Sequence, residues 1–247
     1  MTTLFFLLGL IFGSFFNVVG LRLPQKIPFS NDRSVCPQCN HTLSWYELIP
    51  VLSYILQTGK CRYCNGEISL IYPVTELLTG GLFAFSYDLI GFNLELIVAI
   101  LLISMLVIIL VSDITYLLIP DKVLLFFLPI FIIIRIIQPL DPWWSPIVGT
   151  IVAVVMITTV IIASRGGMGA GDMKLFGVLG VILGTNKVIL AFFLSCITGA
   201  TIGMALILFK RISRQQLVPF GPFIVVAAVI TYFYGDSLLN WYFNFLL

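Results

Sequence analysis

The sequence predicts an all-α, polytopic membrane protein with about eight transmembrane helices and a small zinc-stapled cytoplasmic segment. Three observations lead to this fold class: an apolar composition, a series of uncharged stretches, and four cysteines in two close pairs. Of 247 residues, 60% are hydrophobic and only 10% are charged, whereas soluble domains carry about 25% charged residues. This composition excludes an ordinary soluble protein, and a net charge of +2 gives no reason to expect a nucleic-acid partner.

Uncharged stretches define the predicted spans. Five of them approach the roughly 20 residues that a membrane-crossing helix needs, namely residues 1–21, 96–112, 142–164, 188–209 and 215–235. Three further candidates hold charges or are short, namely residues 72–91, 123–138 and 175–186. Residues 1–21 lack the basic start and the cleavage site of a secretory signal, so we expect a retained first transmembrane helix.

The distribution of Lys and Arg predicts the orientation of these spans. Positive residues concentrate in cytoplasmic loops, and an outside N-terminus places nearly all of them inside, including the basic cluster at 210–214. Only Lys187 then falls in an outward loop, and we expect Arg135 to reach outward from the end of the fourth span. The short stretch 175–186 is kept as a crossing, because without it the basic cluster would lie outside.

Residues 22–71 form the sizeable non-membrane segment, and they contain two Cys-x-x-Cys pairs. Four thiolates at this spacing are typical of a closed tetrahedral zinc site with a structural role. Disulfides are the alternative, which a reducing, cytoplasmic location disfavours. His41 is either an alternative ligand or a neighbour of the site. The predicted ligands are Cys36, Cys39, Cys61 and Cys64.

Acidic residues at the ends of apolar spans are the candidates for chemistry, because charges within a membrane are costly. Asp113 closes the third span and Asp172 opens the sixth, both on the predicted cytoplasmic side. Two carboxylates in one poorly solvated site share a proton, so that one is a base toward water and the other an acid. Such a pair can hydrolyse a peptide bond. A Ser–His or Cys–His site lacks parts, since the single histidine lies in the cysteine segment.

The glycines before Asp172 suggest close approach of backbone to this carboxylate. Gly169 and Gly171 lack Cβ atoms, and they would let a helix start tightly and a substrate backbone come near. A flexible loop and a phosphate cradle are the other readings. The carboxylate at the helix start disfavours the phosphate cradle.

Three more residues have roles that the sequence leaves open. Glu76, at the start of the second span, is either a polar anchor or a charge that docks substrate. Asp121 follows an Ile-Pro pair, and we favour a helix N-cap for it over a functional role. Pro219 interrupts the start of the eighth span and would leave backbone able to pair with an extended substrate.

Together these motifs resemble the type IV prepilin peptidase family, which are GxGD-type intramembrane aspartyl proteases. The resemblance covers the stretch 9–24, both cysteine pairs, residues 72–76, Asp113 with the Ile-Pro-Asp at 119–121, the GxGD at 169–172, and residues 218–222. It implies that Asp113 and Asp172 are the catalytic pair. It also implies cleavage of a short basic leader at the cytoplasmic membrane face, after a glycine and just before the hydrophobic stem of a prepilin or pseudopilin.

The resemblance further implies a location, partners and a second activity. The chain would lie in the bacterial cytoplasmic membrane and serve a pilus, type II secretion or competence machinery. Many members also methylate the new N-terminus with S-adenosylmethionine, and this cofactor rests on the resemblance alone. We expect a first transmembrane helix at 1–21, a four-cysteine zinc segment at 22–71, and a membrane peptidase domain at 72–247.

Two functions of other classes also fit carboxylates at a membrane. A cation-coupled carrier places acidic residues along its ion path, although carriers often consist of two similar halves and no such repeat is evident. A zinc-stapled scaffold without catalysis is the other alternative.

Overall fold

The computed structural model describes residues 1–27, 33–164, 167–209 and 218–246. In these residues the secondary structure is helical apart from two isolated β-bridges and a short 3₁₀ helix, Trp45–Leu48. The predicted basic cluster at 210–214, Arg165 and Gly166 lie outside the described residues. The α-helices are α1 (Thr2–Arg22), α2 (Leu52–Leu56), α3 (Ile71–Ile90), α4 (Leu94–Tyr116), α5 (Asp121–Ile137), α6 (Ser145–Ala163), α7 (Ala170–Leu208) and α8 (Gly221–Leu246).

Among the described residues, five helices are long and apolar enough to cross a membrane. They are α1, α4, α6, α7 and α8. Helices α3 and α5 correspond to two of the three stretches that hold charges or are short in the sequence. The all-helical, multi-pass fold class predicted from the sequence is thereby confirmed.

Helix α7 contains both the sixth and the seventh predicted span. Its 39 residues would extend about 58 Å as a straight helix, nearly twice the roughly 30 Å of a hydrocarbon core. The helix is broken at Gly184, whose φ of 75° and ψ of −177° are not helical. Seven long helices with one break give eight helical segments in the described residues, which agrees with about eight predicted spans.

The chain divides into two compact units, Met1–Thr115 and Tyr116–Leu247. In the first unit, α1 packs along α3 with almost no space between the backbones. A Cβ atom on Gly9 would lie 2.7 Å from the Cα of Gly80. The Thr75 hydroxyl donates to Asn17 Oδ1 at 2.6 Å, and Asn17 Nδ2 donates to the Tyr72 carbonyl at 3.3 Å. Small residues and interhelical hydrogen bonds are what hold apolar helices together in a membrane.

In the second unit, α6 packs on the part of α7 before Gly184, and α8 packs on the part after it. Lys187 of α7 pairs with Asp236 of α8 at 2.7 Å. The predicted eighth span, 215–235, differs from this helix, which runs from Gly221 to Leu246. The helix begins at Gly221, with Pro222 in its first turn where a proline is tolerated. It continues past Asp236, whose carboxylate is exposed at the helix surface.

Arg135 does not reach outward, contrary to the expectation from the sequence. Its side chain is buried in the second unit, and Nη2 donates to the carbonyl of Ile182 at 2.9 Å. Ile182 lies two residues before the break at Gly184. After the break, the Thr185 amide donates to the Ser145 hydroxyl at 3.0 Å. Side chains of α5 and α6 therefore bond the α7 backbone on both sides of the broken turn, as an interrupted membrane helix requires.

Close packing of α6 on α7 makes Gly180 intolerant of a side chain. A Cβ atom there would lie 2.5 Å from the Thr150 nitrogen and 2.6 Å from the Gly149 carbonyl carbon. We expect Gly180→Ala to destabilise the protein by about 1–3 kcal/mol because the helices must separate. Gly203→Ala, in the same helix, has nothing within 4 Å of the added carbon. It is expected to stabilise by up to about 1 kcal/mol through helix propensity. Thermal unfolding in detergent measures both, and equal effects would contradict the packing.

Candidate active site and metal site

The two cysteine pairs lie in two hairpins with the same local structure. Each hairpin is closed by an antiparallel bridge, Val35 with Thr42 and Lys60 with Glu67. In each, the residue after the second cysteine is an asparagine with a φ of 56°, and its amide donates to the carbonyl of the first cysteine at 2.9 Å. Asparagine is enriched in this left-handed conformation. The repeated Cys-x-x-Cys-Asn pattern is visible in the sequence, and its asparagines are the signal from which the two matching hairpin turns could have been predicted.

The four sulfurs converge on one point. All four lie within 4.8 Å of one another, with Cys36 Sγ 3.8 Å from Cys64 Sγ and Cys39 Sγ 4.0 Å from Cys61 Sγ. A tetrahedral zinc ion with bonds of about 2.3 Å sets its sulfur ligands about 3.8 Å apart. The cysteines are free thiols, and these separations are far longer than the roughly 2.05 Å of a disulfide bond. The arrangement fits a metal ion and does not fit the disulfide alternative.

Backbone amides favour the thiolate form of one cysteine in this cluster. The N–H groups of Cys39 and Gln38 donate to the Cys36 sulfur and lower the pKa of its thiol to about 6, and the thiolate is the form that binds metals. Despite a backbone hydrogen bond from His41, burial and hydrogen bonds with the neighbouring sulfurs raise the pKa of the Cys39 thiol. The His41 ring lies 3.5 Å from the Tyr63 ring, centroid to centroid. His41 therefore stands beside the four-sulfur cluster and packs on an aromatic ring.

Asp172 is held by the start of its own helix. Its side chain is 7% exposed, and Oδ2 accepts a hydrogen bond from the Gly169 amide at 3.1 Å. A carboxylate in the first turn satisfies an amide that has no partner within the helix, and it interacts favourably with the helix dipole. This bond fixes the orientation of the carboxylate. Gly169 itself has an ordinary extended backbone, with φ −76° and ψ 147°.

The Ile-Pro-Asp at 119–121 packs against the start of α7. A Cβ atom on Gly171 would lie 3.1 Å from the Ile119 Cβ, so a side chain here would push the two segments apart. Lys174 donates to both carboxylate oxygens of Asp121 at 2.7 and 2.8 Å. The N-cap expected for Asp121 is wrong: Pro120 takes that position, and Asp121 is the first residue of α5. We refer to the contact of Ile119 with Gly171 and of Asp121 with Lys174 as the α7 clamp.

Asp113 is a buried carboxylate in the last turn of α4. It is 6% exposed, and it follows Ser112 and Val111, which are fully buried. Asp113 belongs to the first unit and Asp172 to the second. The meeting of these two carboxylates remains a prediction from the sequence.

Glu76 anchors the chain that follows the first cysteine hairpin. Its side chain is 6% exposed, and Oε2 accepts the backbone N–H of Val51 at 2.7 Å. Val51 has a φ of 62°, which is unusual for a β-branched residue and costs about 1–3 kcal/mol. Of the two roles that the sequence left open, this contact favours the anchor. Pro219 lies two residues before α8 and is half-buried, so it precedes the helix rather than interrupting it.

Comparison with known protein families finds two consecutive matches. Residues 7–89 match the bacterial peptidase A24 N-terminal domain, and residues 100–204 match the type IV leader peptidase family. The second match contains both Asp113 and Asp172. No solved structure matches the chain.

Similar proteins cover almost the whole chain. A prepilin leader peptidase/N-methyltransferase of Bacillus subtilis is 41% identical over 242 residues, which is 98% of each chain. Proteins of the same name from Vibrio cholerae and Aeromonas salmonicida are 33% and 31% identical. The Vibrio alignment covers 93% of this chain and 95% of the relative, and the Aeromonas alignment covers 99% and 94%. The chain therefore belongs to the type IV leader peptidase family.

Proposed function

We propose that this protein is an aspartyl endopeptidase that removes the leader of type IV prepilins or pseudopilins. One observation carries the proposal: two buried carboxylates, Asp113 and Asp172, end and begin apolar helices within the stretch that matches the leader peptidase family. Burying an ionised carboxylate at a membrane costs free energy, so carboxylates at such positions mark functional sites. The names of the relatives supply the substrate class.

In the proposed reaction, the two aspartates share one proton. The ionised carboxylate takes a proton from water as the water oxygen bonds to the peptide carbonyl carbon. The protonated carboxyl gives its proton to the carbonyl oxygen, and the carboxyl that took the proton from water then gives it to the leaving amine. As the carbon–nitrogen bond breaks, the diol oxygen returns a proton to the first carboxylate, so that the pair again shares one proton. We assign the base and acid to the pair rather than to either residue, because coupled groups titrate together.

The substrate fits a site at the membrane surface. A prepilin stem is itself apolar, so its leader junction would lie near the headgroups at the ends of α4 and the start of α7. We propose that these helix ends face the bacterial cytoplasm, with the N-terminus outside and the cysteine segment inside. The support is the distribution of Lys and Arg. We also propose three parts of the chain: a first transmembrane helix at 1–21, a zinc-binding cytoplasmic segment at 22–71, and a membrane peptidase domain at 72–247.

Four further residues would support the reaction. Gly171 lets the start of α7 lie close to Ile119, and Gly169 leaves room beside the Asp172 carboxylate. Backbone around Pro219 would pair with an extended substrate. Glu76 fixes the cysteine segment to α3 through Val51. We propose that zinc holds the four cysteines, and that this segment carries the N-methyltransferase activity named for the relatives, with S-adenosylmethionine as methyl donor.

The direct test is incubation of the purified protein in liposomes with a prepilin, with and without S-adenosylmethionine. Mass spectrometry is expected to show the leader lost after its last glycine, and the mature chain heavier by one methyl group only when the donor is present. An intact prepilin would contradict the peptidase. Proton or sodium flux into the same liposomes without cleavage would favour a carrier. Pilin processing in cells by a variant with both aspartates replaced would favour a scaffold.

The α7 clamp is expected to affect turnover more than stability. Both partners of the Asp121–Lys174 pair are about half exposed, and such pairs contribute at most about 1 kcal/mol to folding. The pair nevertheless lies two residues from Asp172, where a small displacement of a catalytic group lowers the rate. We expect Asp121→Asn to reduce kcat for leader cleavage severalfold with little change in melting temperature. Exchanging the partners, D121K with K174D, should restore part of the loss.

Asp236→Asn is the matched control for the clamp, since Asp236 also pairs with a lysine of α7 at 2.7 Å. That lysine, Lys187, lies after the break at Gly184 and thus in the other part of α7 from Asp172, so cleavage should be unchanged. A loss of equal size in both variants would mean that general destabilisation, rather than the clamp, is responsible.

A further inference from the structure

The chain between the two cysteine hairpins lies beside α1 and α3 rather than beyond their ends. The Val51 amide donates to Glu76 Oε2 at 2.7 Å, and Glu76 is in the second turn of α3. A Cβ atom on Gly13 of α1 would lie 2.9 Å from the Glu76 Cα. Gly13 precedes the end of α1 at Arg22 by about 13 Å along the helix. The Glu76 side chain is too short to span that distance, so Val51 lies beside the last turns of α1.

This position gives Val51 a depth relative to a bilayer. Helix α1 is long and apolar enough to cross a membrane, and its 21 residues extend about 30 Å, the thickness of a hydrocarbon core. A chain beside the last turns of such a helix lies where the lipid headgroups meet the acyl chains. That depth suits apolar and aromatic side chains and disfavours unpaired charges.

The composition of the stretch around Val51 fits that depth. Residues 48–59 contain no charged side chain. The acidic residue before them, Glu47, is buried, and its Oε2 accepts the Ser44 amide at 2.8 Å. Charged residues resume at Lys60, in the bridge that closes the second hairpin. The uncharged part of the cysteine segment is therefore the part that lies beside the two helices.

Exposed apolar side chains mark this stretch, and we call them the 45–56 patch. They are Trp45, Leu48, Ile49, Leu52, Ile55 and Leu56. The three from α2 are spaced three and four residues apart and share one helix face, on which Leu56 is 75% exposed. Tyr54 of the same helix contacts the second hairpin, since a Cβ atom on Gly59 would lie 2.7 Å from its hydroxyl oxygen. Helix α2 thus rests on the hairpin through Tyr54 and leaves its apolar face uncovered.

We propose that the 45–56 patch inserts into the interface of the bilayer and holds the cysteine segment on the lipid surface. Lipid covers the patch, rather than another protein, because the patch belongs to a stretch that lies beside the last turns of a membrane-crossing helix. The Val51–Glu76 hydrogen bond sets the height of α2, and the Trp45 ring suits the headgroup level. The proposal does not depend on leader cleavage, and neither test below requires it.

Photo-cross-linking in liposomes identifies what covers the patch. Leu56 is replaced by the photoreactive residue benzoylphenylalanine in the full-length protein, which is illuminated and weighed by mass spectrometry. We expect an adduct heavier by one phospholipid, as for the same probe at Ile11, an exposed position of α1. Arg62, exposed on the second hairpin, is the matched control site and should give little lipid adduct.

Three results of this experiment would overturn the proposal. One is an adduct at Leu56 to a second copy of the chain or to an added prepilin instead of lipid. Another is no adduct at Leu56 while the probe at Ile11 reacts with lipid. The third is lipid adduct in equal yield at Leu56 and Arg62, which would mean that the patch is not distinguished from the rest of the segment.

Charge substitutions test the same contact by a second route. I55E with L56E should expel the patch from anionic liposomes, whereas I55K with L56K should stay, because lysine reaches the headgroups and is attracted to anionic lipid. We expect amide exchange in residues 48–57 to be at least about tenfold faster in the glutamate variant than in the lysine variant. In zwitterionic detergent this difference should vanish. Equal exchange in anionic liposomes, with melting temperatures near that of the wild type, would refute lipid as the partner.

Discussion

Asp113→Asn and Asp172→Asn are each expected to abolish measurable leader cleavage. Asparagine has nearly the shape of aspartate but neither takes a proton from water nor donates one as an acid. A single general acid or base contributes about 10²- to 10⁴-fold to a rate, so we expect kcat/KM to fall at least about 10²-fold in each variant. The double variant should be hardly worse than either single one, because residues that act as a unit are not additive.

Initial rates of prepilin cleavage in liposomes measure this effect. Asp88→Asn is the matched control, since Asp88 lies in α3, bonds the Thr2 hydroxyl at 2.6 Å and is exposed. That variant should retain the wild-type rate. Cleavage at the wild-type rate by either active-site variant would refute the aspartyl mechanism. A melting temperature close to that of the wild type separates lost chemistry from lost folding.

Cys36→Ser combined with Cys61→Ser is expected to remove the metal and unfold the cysteine segment. One cysteine is lost from each hairpin, so neither pair can hold zinc alone. Structural zinc stabilises small zinc-finger folds by about 10–16 kcal/mol, and two short hairpins cannot replace that by packing. Elemental analysis should fall from about one zinc per chain, as one four-cysteine site binds, to almost none, and amide exchange in residues 33–69 should become fast.

Cys196→Ser is the control for the zinc experiment. Cys196 is a half-buried thiol in α7, apart from the four-sulfur cluster, and its loss should leave the zinc content unchanged. Wild-type protein purified without chelator and found to contain no zinc would contradict the site. Because the proposed N-methyltransferase activity belongs to the cysteine segment, the double serine variant should lose methylation and retain leader cleavage.

Local patterns in the chain predicted the features that depend on nearest neighbours. Apolar stretches predicted the helices because each membrane crossing must satisfy its own backbone. The spacing of the cysteines predicted the four-sulfur cluster because each pair forms its own hairpin. The same reliance on local patterns explains the error in the eighth span: its predicted end was placed before the charge of Asp236, but the helix continues to Leu246.

Long-range contacts explain what the sequence pattern missed. Arg135 was expected to extend into solvent from the end of its span. Its guanidinium instead donates to the Ile182 carbonyl near the broken turn of α7 and is buried within the protein. Asp121 appeared to be a cap, but Lys174, distant in sequence, takes its carboxylate. The sequence left two roles open for Glu76, and the hydrogen bond from the Val51 amide to its carboxylate favours the anchor. In each case the partner lies many residues away, and no periodicity or spacing reveals it.

By itself, the sequence determined that the chain is a helical membrane protein, that four cysteines gather in one segment, and that Asp113 and Asp172 are the candidate catalytic residues. These properties follow from composition and short-range spacing. Only the tertiary structure decided which carboxylates are anchors or clamps, how α7 is broken at Gly184, and that Arg135 is buried against the α7 backbone. Those features arise from side chains that meet across helices, and their free energies depend on packing and desolvation that a linear pattern does not record.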